Sequence, residues 1–372
     1  MRRFAKTILL VFCAVALAAA EELPKLKVGF YVDSGSRGGG TLRWAQFLHY
    51  SPQFDVTLLD GQDLRNGKLD GLDLLVIPGG SSEKQCAAMG EEGKAAVRRF
   101  VAAGGKYVGI CAGYHCALNS PGRIGLLPFV WMGSAGITTL KVELFDNAEK
   151  ALGIPKGDYL VAYSRGPIAK PAPIKGETPA AAEILGVYRS SFGPAGKPET
   201  NFSGTPAMLF GTYGKGKVIA TSFHPELRKE TWPMAFGCVC AVTGVRPTPV
   251  FPDKNARPVR VGYYSPTIIG KRCIREVLEL DREPGIALTF VSDVVLSKRK
   301  LENLDVMIFS AGVEEAYRPL ASRRKIVERF MKRGGKVLAS GNGAEQLPKH
   351  PNLTILPVGT PFVEAALAAR KK

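Results

Sequence analysis

Gly109-Ile110-Cys111-Ala112-Gly113 follows a strand-like run, Lys106 to Ile110, and opens a helix-like one. A residue held in so sharp a strand-to-helix turn needs small neighbours, because its backbone is strained and its flanks must clear the next helix. Glycines two before and two after supply that room, so the Cys111 thiol is expected to project into a site, as in a nucleophile elbow with cysteine in place of serine. Further on, Ser222-Phe223-His224-Pro225-Glu226 ends a second strand, Lys217 to Ser222, and delivers an imidazole with a carboxylate two residues beyond it. Thiol, base and orienter are the three parts of a cysteine hydrolase. Attack on a carbonyl needs the thiolate, which a helix N-terminus and a nearby imidazolium both favour. Glu226 would hold the imidazole in the productive tautomer.

These groups require a scaffold that brings strand ends together. Leu26 to Val32 reads as a strand, Leu42 to Tyr50 as a helix and Phe54 to Leu59 as the next strand. Leu72 to Ile77 is a continuous apolar run, suited to a strand buried on both faces. Glu83 to Ala103 reads as a helix interrupted at Gly90 and Gly93, and the elbow strand follows. This alternation predicts an α/β fold, a doubly wound and mostly parallel sheet with its site at the strands' C-terminal ends. Pro128 to Phe210 reads as a β-rich insertion that shapes the pocket, with short strands such as Leu140 to Phe145 and Tyr159 to Tyr163. Met208 to Tyr213 and Val218 to Ser222 form a hairpin across Gly214-Lys215-Gly216-Lys217, and a helix from Glu230 to Val242 closes the domain.

The elbow and the His-x-Glu together resemble the class I glutamine amidotransferase superfamily, whose fold is flavodoxin-like. Ile77-Pro78-Gly79-Gly80 with Gly109-Ile110-Cys111-Ala112-Gly113-Tyr114 is similar to its biotin-protein ligase N-terminal domain family. The resemblance implies Cys111 as nucleophile, His224 as base and Glu226 as orienter. It also implies an oxyanion hole at Gly79, Gly80 and Ala112, and substrate-binding positions just after the elbow, at Tyr114 and His115. The adenylate loop and Lys-Trp-Pro-Asn run of a biotin ligase are missing from the sequence, so biotin transfer is not implied. The glutamine-holding residues that follow the elbow in amidotransferases are replaced by Tyr114 and His115, so glutamine is not implied as the substrate. His49 and His350 have no motif context and read as structural or exposed.

The N-terminus reads as a signal peptide over residues 1–20. Arg2, Arg3 and Lys6 form its charged region, Ile8 to Leu17 its short apolar run and Ala18-Ala19-Ala20 its cleavage site. The expected location is periplasmic or extracellular, with no transmembrane span in the mature chain. Cys13 would be lost, leaving six of the seven cysteines, too few for a disulfide scaffold in a chain this long. They read as buried thiols, with a disulfide at Cys86 or Cys116 left open. The net charge of +17 falls by three to +14 when Arg2, Arg3 and Lys6 are removed. Such a charge favours acidic partners. The basic runs, Lys298-Arg299-Lys300 and Arg323-Arg324-Lys325, lack interleaved aromatics and read as solvated surface, so no nucleic-acid partner is expected. No cofactor or metal is expected: no P-loop occurs, and Gly38-Gly39-Gly40-Thr41 lacks dinucleotide spacing and reads as a tight turn or a substrate-facing loop.

The chain then echoes itself. Arg260-Val261-Gly262-Tyr263-Tyr264 matches Lys27-Val28-Gly29-Phe30-Tyr31. Leu304 to Gly312 matches Leu72 to Gly80, and Val327 to Lys336 matches Val97 to Lys106. In that register Gly341 stands where Cys111 stands. The expected organisation is an amidotransferase-like domain at 21–247, a proline-rich linker at 248–258, and a truncated degenerate half-repeat without a nucleophile at 259–372, packed on the first copy. Its end falls before a second His-Pro-Glu. The function expected is that of an exported cysteine-dependent amidohydrolase acting on a small amide, a γ-glutamyl compound or a peptide. The alternative is a non-catalytic envelope or ligand-binding protein that kept the fold.

Overall fold

The structure, a computed structural model, describes residues 25–369 except 175–177, 193–199, 265–268, 293–295, 297–300, 312–323 and 346. The expected signal peptide, the run Lys298-Arg299-Lys300 and the residues 312 and 323 lie outside the described residues. The chain begins with β1 (Leu26–Tyr31), α1 (Gly38–His49), β2 (Phe54–Leu59), α2 (Gly61–Arg65) and β3 (Leu74–Ile77). It continues through α3 (Ser82–Ala102), β4 (Lys106–Ile110) and α4 (Ala112–Ala117). Next come β5 (Phe129–Ser134), β6 (Ile137–Leu144), α5 (Asp146–Leu152), β7 (Gly157–Ser164), β8 (Pro167–Pro171) and β9 (Ala180–Tyr188). The short pair β10 (Ser191–Phe192) and β11 (Thr200–Asn201) precedes the hairpin β12 (Pro206–Tyr213) and β13 (Gly216–Thr221), and α6 (Trp232–Thr243) ends this part.

Nine of these strands form one sheet in the order β2-β1-β3-β4-β13-β12-β9-β6-β7. Its first five strands are parallel. The insertion does not stand apart. Through β6, β7 and β9 it continues the same sheet in antiparallel fashion. Alternation along the strands separates two cores. Val28, Phe30, Val76, Val108 and Ile110 pack towards α1 and α6 with Trp44, Phe47 and Val239. Tyr31, Leu75, Ile77 and Tyr107 pack on the other face towards α3 and α4 with Met89, Val97 and Tyr114. Period-two side-chain direction explains this division, and burial on both faces explains the unbroken apolar run of β3.

A second sheet follows the proline-rich stretch. Its elements are β14 (Val259–Tyr264), α7 (Lys271–Arg282), β15 (Ile286–Val291), β16 (Val306–Phe309), α8 (Arg324–Lys332), β17 (Lys336–Ser340), α9 (Asn342–Glu345), β18 (Leu353–Leu356) and α10 (Phe362–Ala368). Five parallel strands run in the order β15-β14-β16-β17-β18. This is the order of the first five strands of the larger sheet. In its sheet β18 takes the place that β13 holds in the first. Pro357-Val358-Gly359 follows it, in place of a histidine.

The second unit packs on α1. The buried Asp281 of α7 accepts hydrogen bonds from the Gln46 side chain and, at 3.0 Å, from the Tyr50 hydroxyl. Lys271 pairs with Asp60 at 2.6 Å and with Asp63. Among the described residues no helix is long and apolar enough to cross a membrane.

Candidate active site

Cys111 sits between β4 and α4 with φ 53° and ψ −97°, in the left-handed region that L-residues avoid. Its glycine neighbours have the role their spacing predicts. A Cβ on Gly109 would lie 2.6 Å from the Gly113 backbone, and one on Gly113 would lie 2.1 Å from the Ile77 carbonyl oxygen. The turn is anchored by the Cys111 N–H, which donates to the Thr221 carbonyl at 2.7 Å. The side chain is 5% exposed at a cavity of about 820 Å³, and its Sγ donates to the Ser164 carbonyl at 3.6 Å.

The histidine arrives from the neighbouring strand. Beyond β13, the His224 N–H donates to the Ala162 carbonyl at 2.8 Å, which pins it against β7. The 3-10 turn Pro225–Leu227 then folds Glu226 back, so that its Oε1 lies 2.7 Å from His224 Nδ1. With Nδ1 so occupied, Nε2 is left for the sulfur, and the imidazole and the Cys111 side chain meet beside Gly79, where a Cβ would lie 2.6 Å from His224 Cε1 and 3.5 Å from Cys111 Cβ. Burial by itself would depress the imidazole's pKa. The Glu226 carboxylate foremost, and Cys111 with it, outweigh burial and push it well above its ordinary value. Glu226 is 1% exposed, and its Oε2 has no hydrogen-bond partner among the described residues.

Glycines clear the space around this group. A Cβ on Gly79 would lie 2.6 Å from His224 Cε1 and 3.5 Å from Cys111 Cβ. Gly80 has φ +147° and abuts the Gly35 carbonyl. The Gly79 carbonyl is taken by the Arg37 N–H at 3.1 Å, while the Gly79 and Gly80 amides have no acceptor among the described residues. Ala112 is the first residue of α4, directly after the thiol.

The sequence gives Gly40 no individual role, yet a Cβ there would come within 2.2 Å of Glu226 Oε1 and 3.2 Å of His224 Nδ1. Of the two readings for Gly38-Gly39-Gly40, the tight turn gives way to a helix start, since these residues open α1, and they line the cavity as a site-facing segment would. Three consecutive glycines after the first strand were the available signal.

Two expectations are corrected. Tyr114 is fully buried, with its hydroxyl directed at the Pro206 carbonyl, 3.5 Å away. His115 Nδ1 lies 2.8 Å from Ser82 Oγ, and the ring rests against Trp131. Burial, with Arg123 nearby, pushes the His115 imidazole down to about 4. Neither residue lines the cavity. The left-handed backbone at Cys111 turns its side chain away from the helix face on which residues three and four further along emerge. Among the described residues no three His, Cys, Asp or Glu side chains cluster as metal ligands.

The rest of the cavity was not legible in the sequence. Arg37, Arg43, Arg165, Lys229 and Trp232 line it from the first unit, and Leu288, Thr289, Phe290 and Ser292 line it from the second.

Comparison with known proteins gives the following. Residues 41–120 match the family model described as "Biotin-protein ligase, N terminal". Phosphoribosylformylglycinamidine synthase subunit PurQ of Rhodopseudomonas palustris (strain BisB18) is 29% identical over 179 residues, covering 43% of this chain and 72% of that protein. Pyridoxal 5'-phosphate synthase subunit PdxT of Bifidobacterium adolescentis is 28% identical over 171 residues, covering 44% of this chain and 79% of that protein. The structure of PurLQS from Thermotoga maritima aligns over 59% of this chain and 98% of that one, at 14% identity and a TM-score of 0.41.

Proposed function

We propose that this class I glutamine amidotransferase-like chain is an exported, cysteine-dependent amidohydrolase acting through Cys111, His224 and Glu226. One observation carries the reading: residues from two separate segments meet at one cavity, Cys111 from the elbow and His224 with Glu226 from the turn after β13, with His224 Nδ1 2.7 Å from Glu226. In the reaction, His224 takes the thiol proton as Sγ attacks the amide carbonyl. The oxyanion forms against the N–H groups of Gly79, Gly80 and Ala112. The imidazolium returns the proton to the departing nitrogen, the amine leaves and a thioester remains. Water, deprotonated by the same imidazole, then releases the acid and restores the thiol. The substrate class is a small amide, a γ-glutamyl compound or a peptide. Export rests on the signal-like residues 1–20.

Residues 259–372 are, in this proposal, a degenerate copy of the amidotransferase-like core. Its parallel strand order supports that. So does the strand-to-helix turn after β17, where Gly341 has φ +49° against 53° at Cys111. The positive φ recurs and the nucleophile does not: Gly341 has no side chain with which to attack.

The experiment is alkylation of the mature chain by iodoacetamide across pH, each cysteine being mapped by mass. Cys111 should react far faster than Cys238, which burial raises to about 12, and should still do so below neutral pH. Cys111→Ala should abolish hydrolysis in a screen of small amides and γ-glutamyl peptides with folding unchanged, while Cys238→Ala should not. A Cys111 that is inert in the folded protein, or activity that survives its loss, would move the non-catalytic binding reading ahead.

A further inference from the structure

Behind the elbow lies sulfur that the triad does not use. Cys86 of α3 and Cys116 of α4 are buried free thiols with their sulfurs 3.3 Å apart. They hold equivalent places: each is the fifth residue of its helix, counting from Ser82 in α3 and from Ala112 in α4. Helix α3 comes off the Gly79-Gly80 loop, and α4 comes off Cys111. The two sulfurs therefore stand where the helix that follows the proposed oxyanion loop meets the helix that follows the proposed nucleophile.

Their surroundings are not those of two packed thiols. Burial pushes the Cys116 thiol well above its ordinary value, as an apolar site should. Cys86 goes the other way: its contact with Cys116 foremost, and the charges of Arg123 and Lys94, lower it against burial. Lys94 is buried, and Arg123 Nε is buried with no hydrogen-bond partner among the described residues. Two cations thus act on one sulfur, and the thiolate they favour is the species that exchanges with disulfides. Cys116 Sγ also lies 3.6 Å from Gln85 Oε1 and 3.8 Å from the Ser82 carbonyl oxygen. Gln85 Nε2 in turn donates to the Pro78 carbonyl at 3.1 Å. One side chain therefore separates Cys116 from the Pro78-Gly79-Gly80 loop.

We propose that Cys86 and Cys116 are a redox-active pair, closed to a disulfide by a dithiol–disulfide couple, and that closing it slows the chemistry at Cys111. The pair stands on its own geometry, while its effect on turnover rests on the hydrolase reading. The Cys86 thiolate attacks one sulfur of the donor disulfide, and the donor's other sulfur leaves and takes up a proton. Cys116, giving up its own proton, attacks the Cys86 sulfur of the mixed disulfide and expels the donor's first sulfur. Two electrons and two protons pass from the pair to the donor, which becomes a dithiol. To bond, the sulfurs must approach by about an ångström. Cys116 then has no S–H to offer Gln85, and α4, six residues long with Cys111 at its start, must shift against α3. The triad is assembled with both thiols free, so the thiol form is the reactive one.

The test equilibrates the folded full chain in a series from reduced to oxidised dithiothreitol. A cyclic disulfide leaves a solitary thiol such as Cys111 free, because its mixed disulfide closes back on itself, and joins only thiols that meet in pairs. Equilibrium is read instead of rate, since both sulfurs are buried and exchange waits on local opening. At the oxidising end peptide mapping should find Cys86 linked to Cys116. Alkylation of Cys111 by iodoacetamide below neutral pH should there be about tenfold slower, the loss of one charge-assisted contact. In Cys116→Ala, and again in Cys86→Ala, the Cys111 rate should be the same at both ends. A pair that stays as two thiols throughout would overturn the proposal, as would a linked pair beside a reactive Cys111 of unchanged rate, or slowing that persists in the two variants.

A second measurement keeps the pair separate from the chemistry. In the Cys111→Ala chain, the backbone amides of residues 78–81 and 112–117 should exchange hydrogen more slowly once the pair is linked. Equal exchange in the two redox states rejects the coupling. If Cys111 proves inert at both ends of the series, the hydrolase reading fails and amide exchange alone decides whether the pair controls the elbow.

Discussion

Cys111 and Glu226 depend on residues that have no functional groups to contribute. Gly79 leaves room for the imidazole beside the thiol, and Gly40 leaves room for the carboxylate that orients it. The prediction at this scale concerns Gly40→Ala. The added methyl would lie 2.2 Å from Glu226 Oε1, so the carboxylate must move. A displacement of that order costs about a hundredfold in a positioned reaction, and overpacking costs about 1–3 kcal/mol of stability. Hydrolysis should fall by that factor, and iodoacetamide should alkylate Cys111 below neutral pH at the rate of an ordinary thiol. A variant that alkylates like the parent chain would show that Glu226 does not need that position. His224 and Glu226 were legible because strand-His-x-Glu is a local pattern. Gly40 was not, because its clash partner lies on a segment that only folding brings near.

The helices show the same contrast between local and distant control. The sequence predicts breaks in α3 at both Gly90 and Gly93. Only Gly90 leaves the helix, with φ 65° and ψ −179°. Gly93 stays helical, and its missing side chain admits Leu64 and Met89, whose Cβ atoms would lie 3.5 Å and 3.2 Å from a Cβ there. Packing between α2 and α3 therefore decides which glycine bends the chain. The same helix brings Cys86 against Cys116 of α4 with their sulfurs 3.3 Å apart, both as free thiols. The hydrogen bond from Cys116 lowers the Cys86 thiol's pKa, and Arg123 and Lys94 assist against burial, whereas burial pushes Cys116 well up. The two sulfurs stand close enough for one to attack the other once an oxidant has activated it. Brief treatment with diamide should oxidise this pair to a disulfide, each thiol giving up its hydrogen to the reagent, and a thiol reductant should reverse it. Peptide mapping after alkylation would reveal the link; two freely alkylated cysteines after oxidation would refute it.

At the scale of the whole molecule, the second unit is part of the site's construction. It meets α1, the helix whose glycine start carries Gly40, through the buried Asp281 and its bonds from Gln46 and Tyr50, with Lys254 at 3.6 Å. The Asp281→Ala substitution would leave those donors unmatched, and breaking a buried charge cluster in this way costs about 3–5 kcal/mol. The urea midpoint should fall accordingly. An unchanged midpoint would mean that this contact does not hold the units together.

Much of this protein follows from near-neighbour constraints. Paired glycines around Cys111, a hairpin across Gly214-Lys215-Gly216-Lys217 and a two-sided apolar strand each depend on residues a few positions apart, so they are readable in the chain and recur in the fold. The character of the cavity is a different matter. Arg37, Arg43, Arg165, Lys229 and Phe290 come from separate segments, and each is by itself an ordinary surface or strand residue. Their convergence depends on how β7 turns, how α1 begins and where β15 docks, which long-range packing settles and no local pattern encodes.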